Sequence, residues 1–262
     1  MGLNLERVLY TSRARGNADN LMMQVEILAV SQRNNARDGL TGALMIHDGR
    51  FLQVLEGAAQ DLDRLMRRLA DDPAALDAAL QGAAVAYFSG ITVAILSSQG
   101  RANLLAALAR ARASGARIVF DPNLRPRLWT DTNTMHQGIS DAAAGADLVL
   151  PSFDDEATHF GDADPQATVA RYLALGAGQV VVKNGGGPIS FGGAGGSGVI
   201  DDLAPETPVD STAAGDSFNA GYLAASLSGA DCAAAIAAGH DLSRKVIRHR
   251  GALVQQAVAE KA

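Results

Sequence analysis

Residues 209–223, VDSTAAGDSFNAGYL, combine small residues with one aspartate where an apolar helical pattern begins. Ser, Thr and Asp commonly begin helices because their side-chain oxygens accept hydrogen bonds from the first N–H groups. The small residues Ala213, Ala214 and Gly215 instead leave those N–H groups open. The partial positive charge of a helix N-terminus favours a phosphate or an oxyanion there. Asp216 then either caps the helix or accepts a proton beside the bound anion.

The composition is that of a globular chain that can bury a hydrophobic core. Of the 262 residues, 48% are hydrophobic and 19% are charged. The formal net charge of −6 argues against binding to nucleic acid or to an anionic membrane, since both prefer basic surfaces. The single cysteine, Cys232, excludes a disulfide framework and a cysteine-based metal site. Without an apolar leader or an apolar run of ~20 residues, we expect a cytoplasmic protein.

The first 73 residues have the pattern of a small α+β unit. Apolar and β-branched runs predict strands over LERVLYT and over the pair LTGALMIHDG and RFLQVLEG, whose Asp-Gly turn is typical of a hairpin. Helical spacing predicts two helices, over NADNLMMQVEILAVSQRNNARDG and over AAQDLDRLMRRLADDP, the second ending at Pro73. This β-α-β-β-α order predicts a ferredoxin-like α+β module.

From residue 83, short apolar runs alternate with Ala-rich helical segments. The runs AAVAYFSGI, ARIVFDPN, ADLVLPS and GQVVVKNG predict strands of a parallel α/β sheet covered by helices on both faces. The Gly-rich segment NGGGPISFGGAGGSG predicts turns or a hairpin. Two helices, over about residues 214–228 and 231–249, follow in the prediction.

The pieces LYTSRA, SQRNNARDGLTG, FLQVLEG and RRLADDP occur in this order near the beginning of the chain. With this spacing, residues 1–75 resemble a BLUF domain, a flavin-binding blue-light sensor, truncated because the family's last two strands have no counterpart. The resemblance implies FAD as a candidate cofactor, and Asn and Gln offer the donors and acceptors that a flavin edge requires. Alternatively, the tyrosine is a strand residue and the asparagines end a helix. The matching positions are Tyr10, Asn34, Asn35, Gln53 and Arg68.

In that family the tyrosine and the glutamine form hydrogen bonds near the reactive edge of the flavin, and light rearranges them. The resemblance therefore assigns these roles to Tyr10 and Gln53. It assigns the ring contacts to Asn34 and Asn35, and the contact on the phosphate side of the flavin to Arg68.

Six further pieces follow in register over residues 73–254: YFSGITVAIL, FDPNLRPRLW, LPSFDDEATHFGD, VVVKNGGGP, DSTAAGDSFNAGYLA and VIRHRGA. Residues 76–262 thereby resemble the ribokinase/PfkB sugar kinases, most closely those acting on 2-keto-3-deoxygluconate, and lack the family's N-terminal portion. The resemblance implies a ribokinase-like, Rossmann-like lobe. It also implies phosphoryl transfer from ATP to a sugar-acid hydroxyl, with Mg²⁺ arriving with ATP and not held directly by the protein.

The same resemblance assigns chemical roles to the opening stretch. The amides of Ala213, Ala214 and Gly215 would hold the transferring phosphoryl group, and Asp216 would deprotonate the sugar hydroxyl. Such a base needs little intrinsic strength, because phosphoryl transfer depends mainly on positioning and on neutralising charge. The alternative is that Asp216 is only a helix cap.

Substrate contacts are implied for Asn123 and Arg125 in DPNLRPRLW. An arginine suits bidentate capture of a carboxylate, although a solvated arginine after a strand is the alternative. On the nucleotide side, Asp155 and Glu156 would join the magnesium and water network, or else form an ordinary acidic first turn. The remaining nucleotide contacts implied are Lys183, Asn184 and Gly185, at the end of a strand.

The junction RRLADDPAALDAAL fits both resemblances, so we infer a chimera joined around residues 69–73. Three interpretations follow: a sugar kinase lobe fused to a flavin sensor, a flavin sensor with an incomplete kinase remnant, or a non-catalytic globular protein. The expected ligands are a sugar acid and ATP, with flavin as a further candidate, and a homodimer is left open.

Overall fold

The computed structural model describes residues 5–13, 41–47, 50–58, 61, 72–251, 254 and 257, and only the backbone of the first three ranges. Contacts divide the chain into two compact units. The first comprises Met1–Gln81 and Ile95–Ala111, and the second comprises Gly82–Ala94 and Arg112–Ala262.

The strands are β1 (Leu5–Arg13), β2 (Thr41–His47), β3 (Arg50–Ala58), β4 (Val85–Ser89), β5 (Arg117–Asp121), β6 (Leu148–Val149), β7 (Gln179–Val182), β8 (Ile189–Gly193) and β9 (Gly198–Ile200). The helices are α1 (Pro73–Leu80), α2 (Gly90–Ile95), α3 (Ser98–Ala113), α4 (Thr132–Ala144), α5 (Phe153–Phe160), α6 (Pro165–Leu175), α7 (Ala214–Leu227) and α8 (Cys232–Ile247). A short 3₁₀ helix covers Pro126–Leu128. Within these described ranges no helix has the length and apolar character needed to span a bilayer.

The first unit contains an antiparallel sheet of order β1-β3-β2. His47 pairs with Arg50, which confirms the hairpin predicted at the Asp-Gly turn. The ferredoxin-like module is not supported, because the described residues show only its strands. The two helices that it requires were predicted over residues that lie almost wholly outside the described ranges.

Pro73 begins a helix, whereas the sequence pattern predicted that it ends one. It is the first residue of α1, and the Asp72 carboxylate before it accepts hydrogen bonds from the N–H groups of Ala74 (3.0 Å) and Ala75 (3.3 Å). Proline suits this position because its missing N–H would have no partner inside the helix anyway. The helix predicted to end at Pro73 falls mostly on residues outside the described ranges, so its end there stays a prediction.

The second unit is built on a six-stranded mixed sheet of order β4-β5-β6-β7-β8-β9. The predicted strands β4 to β7 are parallel, as expected. The Gly-rich segment forms β8 and β9, which pair antiparallel and confirm the hairpin predicted there, and β8 also pairs antiparallel with β7, so the sheet is mixed. The central strands are mainly apolar, and residues that point to opposite faces of the sheet are fully buried, among them Val119, Phe120, Leu148 and Val181.

Helices α7 and α8 lie close to their predicted bounds and pack tightly against each other. A Cβ added to Gly221 would stand 2.7 Å from the carbonyl oxygen of Ala238, and one added to Gly239 would stand 2.7 Å from that of Phe218. Only glycine permits such close backbone approach at both positions. Phe218 and Tyr222 of α7 also pack with core residues of the sheet, so the beginning of α7 is held at a fixed place.

Polar residues stand at or just after the carboxyl ends of the parallel strands. Asp121 ends β5, Ser152 follows β6, and Lys183 follows β7. Ser152 and Lys183 form a parallel β-bridge, so the carboxyl ends of β6 and β7 lie side by side. Ligands of open α/β sheets bind at this edge, which makes it the place to search for a site.

Candidate active site

Two neighbouring cavities, of about 170 and 240 Å³, lie at the carboxyl ends of β5 to β7. Both are bordered by Lys183, Ala214 and Gly215. The structure therefore brings together most of the residues predicted from the kinase resemblance, although they are far apart in sequence. Those lining the smaller cavity are Asn123, Arg125, Asp155, Lys183, Ala213, Ala214, Gly215 and Asp216, and Asn184 and Gly185 line only the larger one.

The N-terminus of α7 has open backbone donors. Ala213 occupies the capping position with φ 61° and forms no side-chain cap. The N–H of Ala214 donates to the carbonyl oxygen of Ser211 at 3.1 Å. In the described part of the chain, the N–H groups of Ala213 and Gly215 form no hydrogen bond. Two of the three amides predicted to bind the phosphoryl group are thus available, and the third is shared with a turn.

Asp216 lies in the first turn of α7, exposed on the wall of the smaller cavity. No hydrogen bond or ion pair joins its carboxylate to another residue that the structure describes. It therefore does not form the cap that was its alternative role. A carboxylate without internal partners is free to accept a proton from a bound molecule.

Backbone strain is concentrated at this cavity. Among the described residues, Asn123 (φ 35°) and Ala213 (φ 61°) are the only non-glycine residues with positive φ. For an L-residue this region costs roughly 1–2 kcal/mol, although Asn tolerates it better than Ala. Both residues line the smaller cavity. Strained backbone conformations cluster at functional sites, so their position favours this cavity as a site.

A buried polar network supports the floor of the cavity. Lys183, only 8% exposed, donates to Oδ1 of Asn219 at 3.1 Å and lies 3.6 Å from the carboxylate of Asp121. The Asn219 amide donates to Asp121 at 2.7 Å and to the Tyr87 hydroxyl at 3.1 Å. Burial and the nearby Asp121 raise the pKa of Tyr87 far above its usual range. The sequence analysis missed Asp121, Asn219 and Tyr87.

Signals for two of these missed residues do exist in the sequence. Asp121 is the polar residue that ends a buried apolar run, and Asn219 follows Asp216 by three positions, on the same face of α7. The contact of Tyr87 with them depends on how β4 lies beside β5, which no local pattern specifies.

Arg125 and Asp155 form a long ion pair on the wall of the smaller cavity. Their closest nitrogen and oxygen atoms are 4.0 Å apart, and about half of the Arg125 side chain is exposed. Burial raises the pKa of Asp155, and the positive charge of Arg125 opposes that rise. The Arg125 guanidinium donates one hydrogen bond, at 2.7 Å, to the carbonyl oxygen of Leu124, and its other N–H groups can bind a ligand.

The larger cavity combines an apolar wall with polar edges. Ile189, Phe218 and Ile247 contribute apolar surface beside the turn that contains Asn184 and Gly185. Asn184 donates to the carbonyl oxygen of Pro188 at 3.1 Å, which holds that turn closed. Such a lining suits a flat, partly apolar group next to the phosphate-binding turn.

Glu156 lies away from both cavities and so departs from its predicted place at the magnesium network. It is fully buried, and its two oxygens accept hydrogen bonds from Arg171 (2.6 Å) and from the Tyr172 hydroxyl (2.9 Å). Arg171 and Tyr172 belong to α6, so these two hydrogen bonds join α5 to α6. Arg171 also forms an ion pair with Asp162. Adjacent residues of a helix point in different directions, which is why Asp155 reaches the cavity and Glu156 does not.

Glu156 should make folding stability depend on pH. Burial raises its pKa from 4.5 to about 7 in the folded chain. Between these two values the folded state keeps a proton that the unfolded state has lost. The free energy of unfolding therefore falls as pH rises through this interval, by up to about 1.4 kcal/mol per pH unit from this group.

Urea unfolding of the wild type and of E156Q at pH 5, 6, 7 and 8 tests this expectation. E156Q should lose most of the decline between pH 5 and 7, while the exposed control D141N on α4 should keep it. An identical pH dependence in wild type and E156Q would contradict the assignment.

The residues assigned to flavin cannot all be placed. Tyr10 on β1 and Gln53 on β3 are register partners in the antiparallel sheet. Asn34, Asn35 and Arg68 lie outside the described residues.

An open α/β unit with free amides at a helix N-terminus, set at the carboxyl edge of its parallel strands, is an arrangement in which proteins bind phosphate groups. The model of the pfkB family of carbohydrate kinases matches residues 25–257. The chain therefore belongs to the PfkB carbohydrate kinase family. The comparisons give no support for a BLUF domain.

Curated relatives include 2-dehydro-3-deoxygluconokinases. The chain is 38% identical to that of Escherichia coli K12 over 172 residues, which are 64% of this chain and 55% of the relative. It is 33% identical to that of Haemophilus influenzae over 188 residues, covering 71% and 60%. The chain thus spans little more than half the length of these curated relatives.

Solved structures agree with the fold. A PfkB protein from Polaromonas sp. JS666 has 30% identity and a TM-score of 0.59, over 70% of this chain and 58% of the other. Aminoimidazole riboside kinase from Salmonella enterica, solved with its riboside and an ATP analogue, has 26% identity and a TM-score of 0.56, over 64% and 57%. The second unit therefore has a ribokinase-like fold.

Proposed function

We propose that this chain carries the phosphoryl-transfer site of a PfkB sugar kinase that acts on 2-keto-3-deoxygluconate with ATP. One observation carries the proposal: free amides of the α7 N-terminus, the Lys183 ammonium, the free Asp216 carboxylate and the Arg125 guanidinium line one cavity. The 2-dehydro-3-deoxygluconokinases among its relatives support the choice of a sugar acid.

In this proposal, Asp216 accepts the proton of the sugar hydroxyl as the hydroxyl oxygen bonds to the γ-phosphorus of ATP. The bond from that phosphorus to the bridging oxygen breaks, and ADP leaves. The amides of Ala213 and Gly215, together with Lys183, stabilise the negative charge on the transferring group. Fixed donors of this kind act without reorganising, so they lower the barrier more than water does.

Magnesium fits the same arrangement when it enters with ATP. No group of three or more His, Cys, Asp or Glu side chains in the described residues is arranged to hold a metal by itself. Asp155 lies at this cavity with a carboxylate that would accept hydrogen bonds from the waters around the magnesium ion, at a position where burial raises the pKa of the carboxyl and a nearby cation would lower it. Bound magnesium would neutralise phosphate charge, and Asp155 would orient it.

The two ends of the site suit the two substrates. Arg125, beside Asn123, offers a planar pair of donors to the carboxylate of a sugar acid. Lys183, Asn184 and Gly185 border the larger cavity, whose apolar wall suits a nucleotide base. The proposal does not include a flavin sensor, because the comparisons give no support for one; FAD binding at Tyr10 and Gln53 stays a prediction.

We expect the purified full chain to release ADP from Mg·ATP in dependence on 2-keto-3-deoxygluconate. A coupled assay with pyruvate kinase and lactate dehydrogenase measures this release, with no sugar and with fructose as controls. Fructose lacks the carboxylate that Arg125 would bind, so it should be a poorer substrate. ADP release that is absent, or is the same with and without the sugar acid, would contradict the proposed function.

A further inference from the structure

We propose that Asn219 is a positioning residue that keeps the Lys183 ammonium facing the third phosphoryl group of the nucleotide. The inference rests on the proposed function, in which that group binds beside the N-terminus of α7. Asn219 would contact neither substrate and would act entirely through Lys183.

The Asn219 amide is held in one orientation. It is 2% exposed and lies three residues after Asp216 in α7. Its oxygen accepts from Lys183 at 3.1 Å, and its nitrogen donates to Asp121 at 2.7 Å and to the Tyr87 hydroxyl at 3.1 Å. Because an amide nitrogen has two hydrogens, both are used, and reversing the amide would break all three bonds.

This orientation matters because Lys183 has a competing partner. Its ammonium is 3.6 Å from the carboxylate of Asp121, and a Cβ added to Gly215 would stand 3.4 Å from the same nitrogen. The ammonium thus lies between a buried carboxylate and the anion-binding turn. One N–H of Asn219 binds the Asp121 carboxylate, and the Asn219 oxygen accepts a hydrogen bond from Lys183, so Asp121 does not take the ammonium away from the turn.

The competition also explains why a flexible lysine is useful here. An ammonium has three N–H donors, and two at most are directed to Asn219 and Asp121. The remaining donor can serve an incoming phosphate. If the Asn219 amide were replaced by a carboxylate, two acidic side chains would hold the ammonium and repel the phosphate.

The test compares dissociation constants of Mg·AMP-PNP and Mg·ADP, measured by calorimetry on the full chain. The ratio of the two constants isolates the contribution of the third phosphoryl group. N219D should reduce the preference for AMP-PNP at least tenfold relative to the wild type. The exchange variant D121N/N219D restores an amide opposite a carboxylate and should return the preference to within threefold of the wild type.

A matched control is N133D/D141N, which makes the same two changes on the exposed surface of α4 and should leave both constants unchanged. A merely structural role for Asn219 would weaken both nucleotides alike, or lower the melting temperature without changing the ratio, and would overturn the proposal. Failure of the exchange variant to restore the preference would also overturn it.

Failure of this inference is distinguishable from failure of the proposed function. Wild-type protein that binds neither nucleotide would overturn both. Protein that binds both nucleotides but releases no ADP with the sugar acid would overturn only the proposed reaction, and the ratio in N219D would still decide the role of Asn219.

Discussion

Replacing Asp216 with asparagine should lower kcat for the sugar acid by about 1000-fold. A general base contributes about 100- to 10,000-fold to such reactions, and no other free carboxylate stands in the first turn of α7. Asparagine keeps the size of the side chain but cannot accept the proton of the hydroxyl. Because Asp216 forms no internal bond within the described structure, D216N should fold as well as the wild type.

Steady-state kinetics and calorimetry with Mg·ADP test this expectation together. Nucleotide affinity should stay within threefold of the wild type, since the donors that hold the phosphates are unchanged. D241N, which removes an exposed carboxylate of α8, is the matched control and should retain full turnover. Turnover of D216N equal to that of the wild type would remove Asp216 from the mechanism.

Replacing Arg125 with methionine should raise KM for 2-keto-3-deoxygluconate by about 100-fold, with a smaller change in kcat. A hydrogen bond to a charged group is worth about 1.5–3 kcal/mol, and the loss of a bidentate pair falls at the upper end of that range. R125K keeps the charge but loses the planar fork, so we expect a smaller rise, of roughly tenfold.

The neighbouring arginine provides a control for this second prediction. Arg127 is exposed in the short 3₁₀ helix and is not among the residues lining the cavity, so R127M should leave KM unchanged. The KM for a neutral sugar such as fructose should not differ between R125M and the wild type. An equal rise for both sugars, or for both arginine variants, would show that Arg125 does not recognise the carboxylate.

The elements that position the site could be predicted where their signal is local. Strands β4 to β7 are unbroken apolar runs, and α7 and α8 have helical spacing with polar boundaries, so all six were found. Because parallel strands end at one edge of a sheet, the residues that follow them had to meet there. Arg125, Asp155, Lys183 and Asp216 therefore reached one cavity as expected.

What could not be predicted depends on packing between elements. Glu156 follows Asp155 directly, yet the turn of the helix carries it into a buried contact with Arg171 and Tyr172. The network around Asn219 joins residues from β4, β5 and α7 with Lys183 after β7, and no single segment specifies it. The antiparallel pairing of β8 with β7 likewise depends on packing between elements, although the β8–β9 hairpin itself was predicted from its glycines.

The measurement that tests the central claim most directly is phosphorus NMR of the full chain incubated with Mg·ATP and 2-keto-3-deoxygluconate. The account predicts ADP together with an equal amount of a new phosphomonoester signal, both requiring the sugar acid and both absent with D216N. ATP that remains intact, or that yields only inorganic phosphate, would contradict the account.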